Sequence, residues 1–172
     1  MEIKLVKKAV KGDFEAYSIL VNNLKNDGYK IAYTILREEQ SSIDAYLQAV
    51  EKGLKGIKNL KEPKYFKTWF LRIVINEAKN ILSKQSKTIS IDEIKDTQKP
   101  LVDNDSKLDL EMALKNIDKE TREMIRLKFY MGYKLEEISK LLDIPIGTVK
   151  GKMYTALKNI KKDLEVVEYE DR

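Results

Sequence analysis

Apolar residues recur every three or four positions along most of the chain, which is the spacing of one face of an α-helix. In the N-terminal half, this pattern predicts a long helix that Asp13 caps and that continues past Gly28. Its apolar face comprises Phe14, Tyr17, Leu20, Val21 and Leu24, followed by Ile31, Ile35 and Leu36. With few Gly or Pro to interrupt such patterns, we expect an all-α fold.

Two further helices are predicted before the middle of the chain. Ser41 or Ser42 caps the first, which ends near Gly56 and directs three apolar side chains inward: Leu47, Val50 and Leu54. Pro63 lacks the backbone N–H that a helix interior needs, so the polar stretch around it is predicted to be a turn. The second helix runs from about residue 65 to about residue 83.

The stretch from about residue 84 to residue 107 has no sustained period and is rich in Ser, Thr, Asp and Lys, which is typical of a linker. We therefore expect two small helical domains, 1–87 and 108–172, joined by a flexible linker over 88–107. In the second domain, Asp118 is predicted to cap the helix that follows an apolar segment.

Two short helices near the C-terminus predict a helix-turn-helix. Ser139 is small enough for the second helix to cross closely, Asp143 tolerates the left-handed backbone of a tight turn, and Pro145 suits a helix start. The first helix buries Leu135, Ile138, Leu141 and Leu142, and the second buries Val149, Met153, Leu157 and Ile160. Seven residues of the second helix then face outward: Thr148, Lys150, Gly151, Lys152, Tyr154, Thr155 and Lys158.

The charge pattern of this second helix indicates a ligand. From Ile144 to Lys162 the chain has five lysines and no Asp or Glu. Phosphates repel carboxylates from a helix in the major groove, whereas Lys and Thr contact base edges or backbone oxygens there. The outward residues are therefore predicted to bind duplex DNA. The alternative is an αα-hairpin of a plain bundle, for which mixed charge is expected.

A second basic stretch lies in the N-terminal domain, where ten Lys or Arg between Lys52 and Thr88 outnumber two acidic residues. Aromatic rings on which bases stack, next to cations that bind phosphate, suit a single DNA strand. Here that combination comprises the aromatic residues Tyr65, Phe66, Trp69 and Phe70 with the cations Lys61, Lys64, Lys67 and Arg72.

The helix that carries these residues also holds Asn76 and Asn80, one turn apart and thus on one face, where amides can pair with base edges. Four apolar residues at helical spacing are instead expected in the core: Phe66, Phe70, Ile73 and Val74.

Composition excludes most enzyme chemistry. The chain has no Cys and no His, which removes thiol nucleophiles, disulfides, imidazole catalysis and the usual zinc ligands. No acidic cluster has metal-ligand spacing, so we expect no enzyme, cofactor, metal site or small-molecule substrate. No signal peptide or run of eighteen apolar residues is present, and we expect a cytoplasmic protein that does not insert in a membrane.

Three segments resemble one family, the bacterial sigma factors of the extracytoplasmic-function class. "LEEISKLLD" followed by "IPIGTVKGKMYTALKNIKK" resembles the helix-turn-helix signature "YEEIA..LG.P.GTVKSRL.RA...L". "FKTWFLRIVINEAKNILSK" is similar to the segment "F..WL.RIA.N...D.LR", and "SSIDAYLQAVEKGLKGI" occupies the place of "AEDLVQETFLRAW". The segments have the family's order and close to its separations, and together they cover nearly the whole chain.

The resemblance implies a transcription initiation factor that binds core RNA polymerase and promoter DNA. Its N-terminal domain would bind the polymerase clamp and open the minus-ten element, and its C-terminal domain would read the minus-thirty-five element as duplex. An anti-sigma factor is the further partner implied, and it would cover the same basic surfaces.

The resemblance also implies roles for residues by position. Lys150, Gly151, Lys152, Tyr154 and Thr155 match the duplex contacts of the recognition helix, although Gly151 and Lys152 replace the usual Ser and Arg. The melted strand would contact Asn76, Asn80 and the turn from Asn59 through Leu60 to Tyr65. The polymerase-binding helix would present Asp44, Leu47, Gln48 and Glu51, with Leu47 and Gln48 in place of the usual Gln-Glu.

Two other functional classes fit parts of the sequence. A stand-alone regulator would use the same helix-turn-helix as a dimer on a palindrome, without core polymerase. A small interaction module would need neither basic stretch to touch nucleic acid, and its binding would not weaken steeply with salt.

Overall fold

The computed structural model describes residues 2–88, 114 and 117–170, with side chains over 2–86, 114 and 117–161. Every regular element in that part of the chain is a helix, so the predicted all-α fold is confirmed. The chain divides into two compact units, Met1–Lys95 and Asp96–Arg172. Apart from its first residue, the predicted linker over 88–107 lies outside the described residues, as does most of the apolar segment before Asp118.

Five α-helices form the N-terminal unit: α1 Glu2–Val10, α2 Phe14–Asn23, α3 Lys25–Leu36, α4 Glu39–Gly56 and α5 Phe66–Thr88. Two short 3-10 turns, Ile57–Asn59 and Pro63–Tyr65, connect α4 to α5. Helix α5 packs against α3 and α4, while α1 packs against α2 and both turns. The interruption predicted around Pro63 is present, and α5 extends beyond its predicted end at about residue 83.

The single long helix predicted after Asp13 is two helices in the structure. Asp13 does cap the first, since its carboxylate accepts a hydrogen bond from the Ala16 backbone N–H at 2.9 Å. The backbone leaves helical geometry at Leu24, which is buried, and α3 begins at the next residue. The apolar spacing continues across this break and so gave no sign of it. Phe14 is 65% exposed, and its predicted place in the core is wrong.

The start of α4 also differs from the prediction. Glu38 caps this helix, because its carboxylate accepts hydrogen bonds from the backbone N–H groups of Gln40 and Ser41. Ser42 is buried, and its hydroxyl donates to the Glu38 carbonyl. Glutamate is long enough to reach these donors from the position before the helix, so the predicted serine cap is wrong.

Small residues form the buried face of α4, where Ala45, Ala49 and Gly53 lie beside Tyr46. Leu47 is 56% exposed and Leu54 is 37% exposed, so the prediction that they point inward is wrong. Because α3 and α5 both pack against α4, its inner face has room only for short side chains and one ring, and the leucines lie on the outer face.

Two tyrosines connect α2 and α4 reciprocally. The Tyr17 hydroxyl on α2 donates to the Val50 carbonyl on α4 at 2.7 Å. The Tyr46 hydroxyl on α4 donates to the Val21 carbonyl on α2 at 2.6 Å. Burial raises the pKa of Tyr17 and raises the pKa of Tyr46 to about 12. The two hydrogen bonds satisfy hydroxyls that would otherwise be costly to bury.

Glycines make room for these rings. A Cβ on Gly28 would lie 2.6 Å from the Tyr46 ring, and a Cβ on Gly53 would collide with the Tyr17 hydroxyl and lie 3.3 Å from the Phe70 ring. Phe70 also meets Tyr46 edge to face, with centroids 5.9 Å apart. The absence of a side chain at Gly28 and Gly53 is therefore a packing requirement.

Three α-helices form the described part of the C-terminal unit: α6 Lys119–Phe129, α7 Leu135–Leu142 and α8 Ile146–Glu170. Asp118 caps α6 as predicted, since its carboxylate accepts from the Thr121 backbone N–H at 3.0 Å. The core contains ten apolar residues: Leu114, Met124, Ile125, Leu127, Ile138, Leu141, Val149, Met153, Ala156 and Ile160. Leu157 is 38% exposed, so its predicted burial is wrong, and Ala156 lies in the core instead.

The predicted turn between α7 and α8 is confirmed. Asp143 has φ 59° and ψ 42°, the left-handed conformation. The Ser139 hydroxyl donates to the Ile144 carbonyl at 2.6 Å, so this small residue does lie where the chain returns. Pro145 directly precedes α8, and its carbonyl accepts from the Val149 N–H at 3.1 Å. These contacts fix how α8 leaves the turn.

Candidate nucleic-acid interface

The outer face of α8 carries most of the residues predicted to bind duplex DNA. Lys150, Tyr154 and Lys158 recur at four-residue spacing and are exposed, Tyr154 to 71%. Thr148, Gly151 and Thr155 are exposed beside them, and a Cβ on Gly151 would have no atom within 4 Å. The face is open, cationic and free of carboxylates, which suits contact with a phosphate backbone.

Lys152 differs from the other predicted duplex contacts. Its ammonium forms an ion pair with the Glu120 carboxylate on α6, and its side chain is 37% exposed. The hydrogen bond to Glu120 is the main cause that raises the pKa of Lys152. Lys152 also lines a small cleft of about 360 Å³ between the start of α6 and α8. The structure therefore separates this lysine from Lys150 and Tyr154.

Residues predicted to bind a melted strand occur on the two 3-10 turns and on α5. Seven of them are exposed: Asn59, Lys61, Lys64, Tyr65, Lys67, Asn76 and Asn80. Leu60, Trp69 and Arg72 are partly exposed. Phe66, Phe70 and Val74 are buried, as expected for the core, whereas Ile73 is only partly buried. The Lys64 ammonium lies 5.0 Å from the Tyr65 ring centroid. Cationic, aromatic and amide groups are thus all accessible in this unit.

Ion pairs reduce the basic character of this stretch below what the sequence suggests. Lys67 pairs with Asp27 on α3 at 2.8 Å, and Lys52 pairs with Glu77 on α5 at 2.7 Å. Glu77 is 4% exposed, and it also accepts a hydrogen bond from the Asn80 amide at 3.4 Å. Neither pair joins neighbours in sequence, so periodicity could not reveal them.

The outer face of α4 holds the residues predicted to bind polymerase. Leu47, Gln48 and Glu51 are exposed and Asp44 is partly exposed; Glu51 forms an ion pair with Lys55. Leu47 lines an apolar groove of about 840 Å³ between α4 and the α2–α3 pair. The other lining residues are Ser18, Ile19, Val21, Asn22, Lys25, Asn26, Tyr29, Ile43, Tyr46 and Val50.

Ile19 and Ile43 are the groove residues that the sequence analysis missed, and they are 42% and 36% exposed. The spacing of Ile43 and Leu47, four residues apart on one helix, was an available signal for an outward apolar stripe.

Within the described residues, no group of three or more acidic side chains is placed to hold a metal ion. None of the helices in that part of the chain is long and apolar enough to cross a membrane.

Residues 107–160 match the family described as "Sigma-70, region 4". The chain is 28% identical over 146 residues to the RNA polymerase sigma factor SigV of Bacillus subtilis, covering 84% of this chain and 88% of that one. It is 23% identical over 180 residues to the ECF RNA polymerase sigma-E factor of Escherichia coli K12, covering 94% and 93%. Residues 107–160 thus belong to the sigma-70 region 4 family, and over nearly its whole length the chain is similar to sigma factors of the extracytoplasmic-function class.

Two solved structures share the fold of this chain. CnrH, in complex with the cytosolic domain of CnrY, is 17% identical with a TM-score of 0.69, covering 96% of this chain and 97% of CnrH. RpoE of Bartonella quintana, in complex with the anti-sigma factor NepR, is 20% identical with a TM-score of 0.62, covering 90% and 98%. The match over nearly the full length supports two helical domains in this sigma factor.

The family decides between the functional classes left open by the sequence. A sigma factor directs RNA polymerase to promoters, so this chain is a promoter-directing factor and not a stand-alone dimeric regulator. The curated relatives are sigma factors, and no catalytic family is indicated.

Proposed function

We propose that this sigma factor binds core RNA polymerase in the cytoplasm and that it catalyses no reaction itself. Each of its two units binds a different partner surface. The N-terminal domain, 1–87, binds the polymerase clamp and opens the minus-ten element. The C-terminal domain, 108–172, reads the minus-thirty-five element as duplex. The observation that carries the proposal is the acid-free outer face of α8, accessible over Lys150, Tyr154 and Lys158.

Duplex reading is assigned to the outer face of α8. Its lysines are mobile point charges that neutralise phosphates, and its threonines and Tyr154 supply shorter-range polar contacts to backbone or base edges. Gly151 leaves the helix surface low at its centre, which permits close approach of the DNA backbone. The proposed contact residues are Thr148, Lys150, Gly151, Tyr154, Thr155 and Lys158.

Strand opening is assigned to the turns before α5 and to α5 itself. Taking a base out of the stack costs a few kcal/mol, which stacking and amide hydrogen bonds can offset. Tyr65 is 47% exposed, and Asn76 and Asn80 are exposed one turn apart. The proposed contact residues are Asn59, Leu60, Lys61, Lys64, Tyr65, Lys67, Trp69, Arg72, Asn76 and Asn80.

Polymerase binding is assigned to α4 and the groove beside it. Leu47 is the most exposed apolar side chain on α4, and the groove offers it apolar neighbours on α2 and α3. An exposed apolar strip rimmed by polar residues is typical of a protein interface. Asp44, Gln48 and Glu51 form its polar rim on α4.

An anti-sigma factor is proposed as a further partner. Two proteins of the same fold, CnrH and RpoE, were solved in complex with CnrY and the anti-sigma factor NepR, respectively. The exposed groove and basic faces of this chain are surfaces that such a partner would cover.

Run-off transcription with bacterial core polymerase on fragmented genomic DNA of the source organism tests the proposal. Discrete transcripts are expected only when the protein is added, and their shared upstream sequences give the two promoter elements. Lys150→Glu places a carboxylate on the outer face of α8, so transcripts and duplex binding are expected to disappear while the helical circular dichroism stays unchanged. Unchanged binding by Lys150→Glu would contradict the assignment of α8.

Asn76→Ala tests the strand-opening assignment separately. We expect normal affinity for core polymerase and a reduced fraction of opened promoter, measured by permanganate reactivity of unpaired thymines. Asn23→Ala is the matched control, since Asn23 is an exposed amide at the end of α2 outside the proposed sites. Equal opening by the two variants would rule out a role for Asn76.

A further inference from the structure

Lys150 and Lys152 lie on different flanks of α8. Each residue advances an α-helix by about 100°, so two positions along the chain lie about 200° apart around the axis. Lys150 is exposed on the flank that continues through Tyr154 and Lys158. Lys152 faces the first turn of α6, in the cleft that also contains Asp118 and Thr121. Angular position alone does not separate Lys152 from the DNA, since Thr148 is also two positions from Lys150; the ion pair with Glu120 is what distinguishes Lys152.

The positive charge of Lys152 is already neutralised by a neighbouring carboxylate. Its ammonium pairs with Glu120, and Asp118 lies near enough for Lys152 to contribute to the lowered pKa of that carboxyl, after the larger contribution of the hydrogen bonds from Thr121. A phosphate at this flank would meet two carboxylates beside one lysine. Moving Lys152 to the phosphate would leave Glu120, 46% exposed, without its partner and close to an anion.

From this geometry we propose that Lys152 is a positioning residue: its pair with Glu120 fixes α8 against the start of α6 and keeps the Lys152 ammonium away from the DNA phosphates. Gly151 and Thr155, which line the same cleft without taking part in the ion pair, remain duplex contacts together with Lys150. This inference rests on the proposed reading of duplex DNA by α8. It changes the role of Lys152, which the family resemblance placed among the direct contacts.

A charge exchange tests the pair. The full-length protein is combined with core polymerase, and binding to a promoter fragment recovered by run-off transcription is measured. Lys152→Glu alone puts two carboxylates together and is expected to lower affinity at least about tenfold, or about 1.4 kcal/mol. Adding Glu120→Lys restores the pair in reverse, and affinity is expected to return to within about threefold of the wild type. If the exchanged variant binds no better than Lys152→Glu, the proposal is wrong.

Salt dependence provides the second test, and it does not require the exchanged variant to fold. Each phosphate contact contributes about 0.9 to the slope of log affinity against log salt. Lys152→Gln is expected to leave the slope unchanged, whereas Lys150→Gln is expected to lower it by about one contact. Equal losses for the two variants would show that Lys152 contacts phosphate.

Glu120→Gln separates positioning from a merely structural contribution to stability. Releasing Lys152 and removing a carboxylate is expected to raise the salt slope by up to about 0.9 and to reduce preference for the promoter over unrelated DNA. A loss of stability alone would change neither the salt slope nor the preference for the promoter. Failure of the proposed function itself would be recognised differently, since the wild-type protein would then give no promoter-specific binding or transcripts at all.

Discussion

In the N-terminal unit, Gly28 lies against the Tyr46 ring and Gly53 lies against the Tyr17 hydroxyl. In the C-terminal unit, a Cβ on Gly147 or Gly151 would meet no atom within 4 Å. The difference follows from where each unit places its exposed functional groups. In the N-terminal unit, the exposed functional groups lie on helices whose opposite faces are closely packed in the core. In the C-terminal unit they lie on the open side of one helix. The same substitution should therefore have opposite effects on the two units.

The largest effect is expected from Gly53→Ala. The added methyl collides with the Tyr17 hydroxyl and displaces its hydrogen bond to Val50, which should lower the free energy of unfolding by about 2 kcal/mol. Urea unfolding followed by the fluorescence of Trp69, the only tryptophan of the chain, measures it. Gly56→Ala is the control on the same helix, since its Cβ would lie 3.4 Å from the Trp69 ring. Equal midpoints for both variants would contradict the packing account.

Asp118→Ala should cause the next largest loss. Removing the α6 cap leaves the Thr121 N–H without its acceptor, at a cost of about 1 kcal/mol. We expect the loss in the far-ultraviolet circular dichroism transition of the C-terminal unit, with the fluorescence transition of Trp69 unchanged. Lys119→Ala, at the neighbouring exposed position, is the control and should leave both transitions in place. A shift in the fluorescence transition would show that the cap acts beyond its own unit.

Gly151→Ala should have the opposite sign. Alanine in a helix interior is favoured over glycine by about 1 kcal/mol, and nothing near Gly151 resists the methyl. We expect the C-terminal unit to gain up to that amount in thermal unfolding, while duplex affinity falls because DNA approaches less closely. Gly147→Ala, in the first turn of α8, should change thermal stability and duplex affinity less than Gly151→Ala does. Higher affinity for Gly151→Ala would exclude close backbone approach at this position.

The smallest expected effect is a loss of stability at acid pH, which both units share. Hydrogen bonds from Ser41 and Gln40 lower the pKa of Glu38, and those from Thr121 lower the pKa of Asp118. Since both pKa values are depressed on folding, their stabilisation is present above about pH 4 and is lost as pH falls through the folded values. Glu38→Gln and Asp118→Asn should each flatten this loss in unfolding measured from pH 7 to pH 3. Unaltered profiles would argue against both caps as its source.

Local chemistry explains which parts of the fold were predictable. Asp13, Asp118 and Asp143 were assigned correctly, because a short acidic side chain at a helix start or in a left-handed turn acts within a few residues. Periodicity failed for α4, where the large residue Leu47 lies outside and the small Ala49 lies inside. An apolar stripe indicates a face but does not say whether neighbouring helices leave room for it.

The candidate site was predictable to the same extent. Exposure of Lys150 and Tyr154 followed from the helix-turn-helix pattern. The partner of Lys152 did not, because Glu120 is 32 residues away in sequence and the two meet only after α6 and α8 pack. The Lys67–Asp27 pair escaped prediction for the same reason.

The reciprocal tyrosine bonds between α2 and α4 also set a limit at alkaline pH. Tyr17 and Tyr46 have raised pKa values when folded, so their protonated hydroxyls contribute stability in full below about pH 10, the ordinary value, and progressively less as pH rises toward the folded values. Ionising either phenol removes a donor to a backbone carbonyl on the opposite helix. Phenolate absorbance from these two rings should therefore appear together with separation of α2 from α4, which makes ultraviolet titration a reporter of tertiary structure.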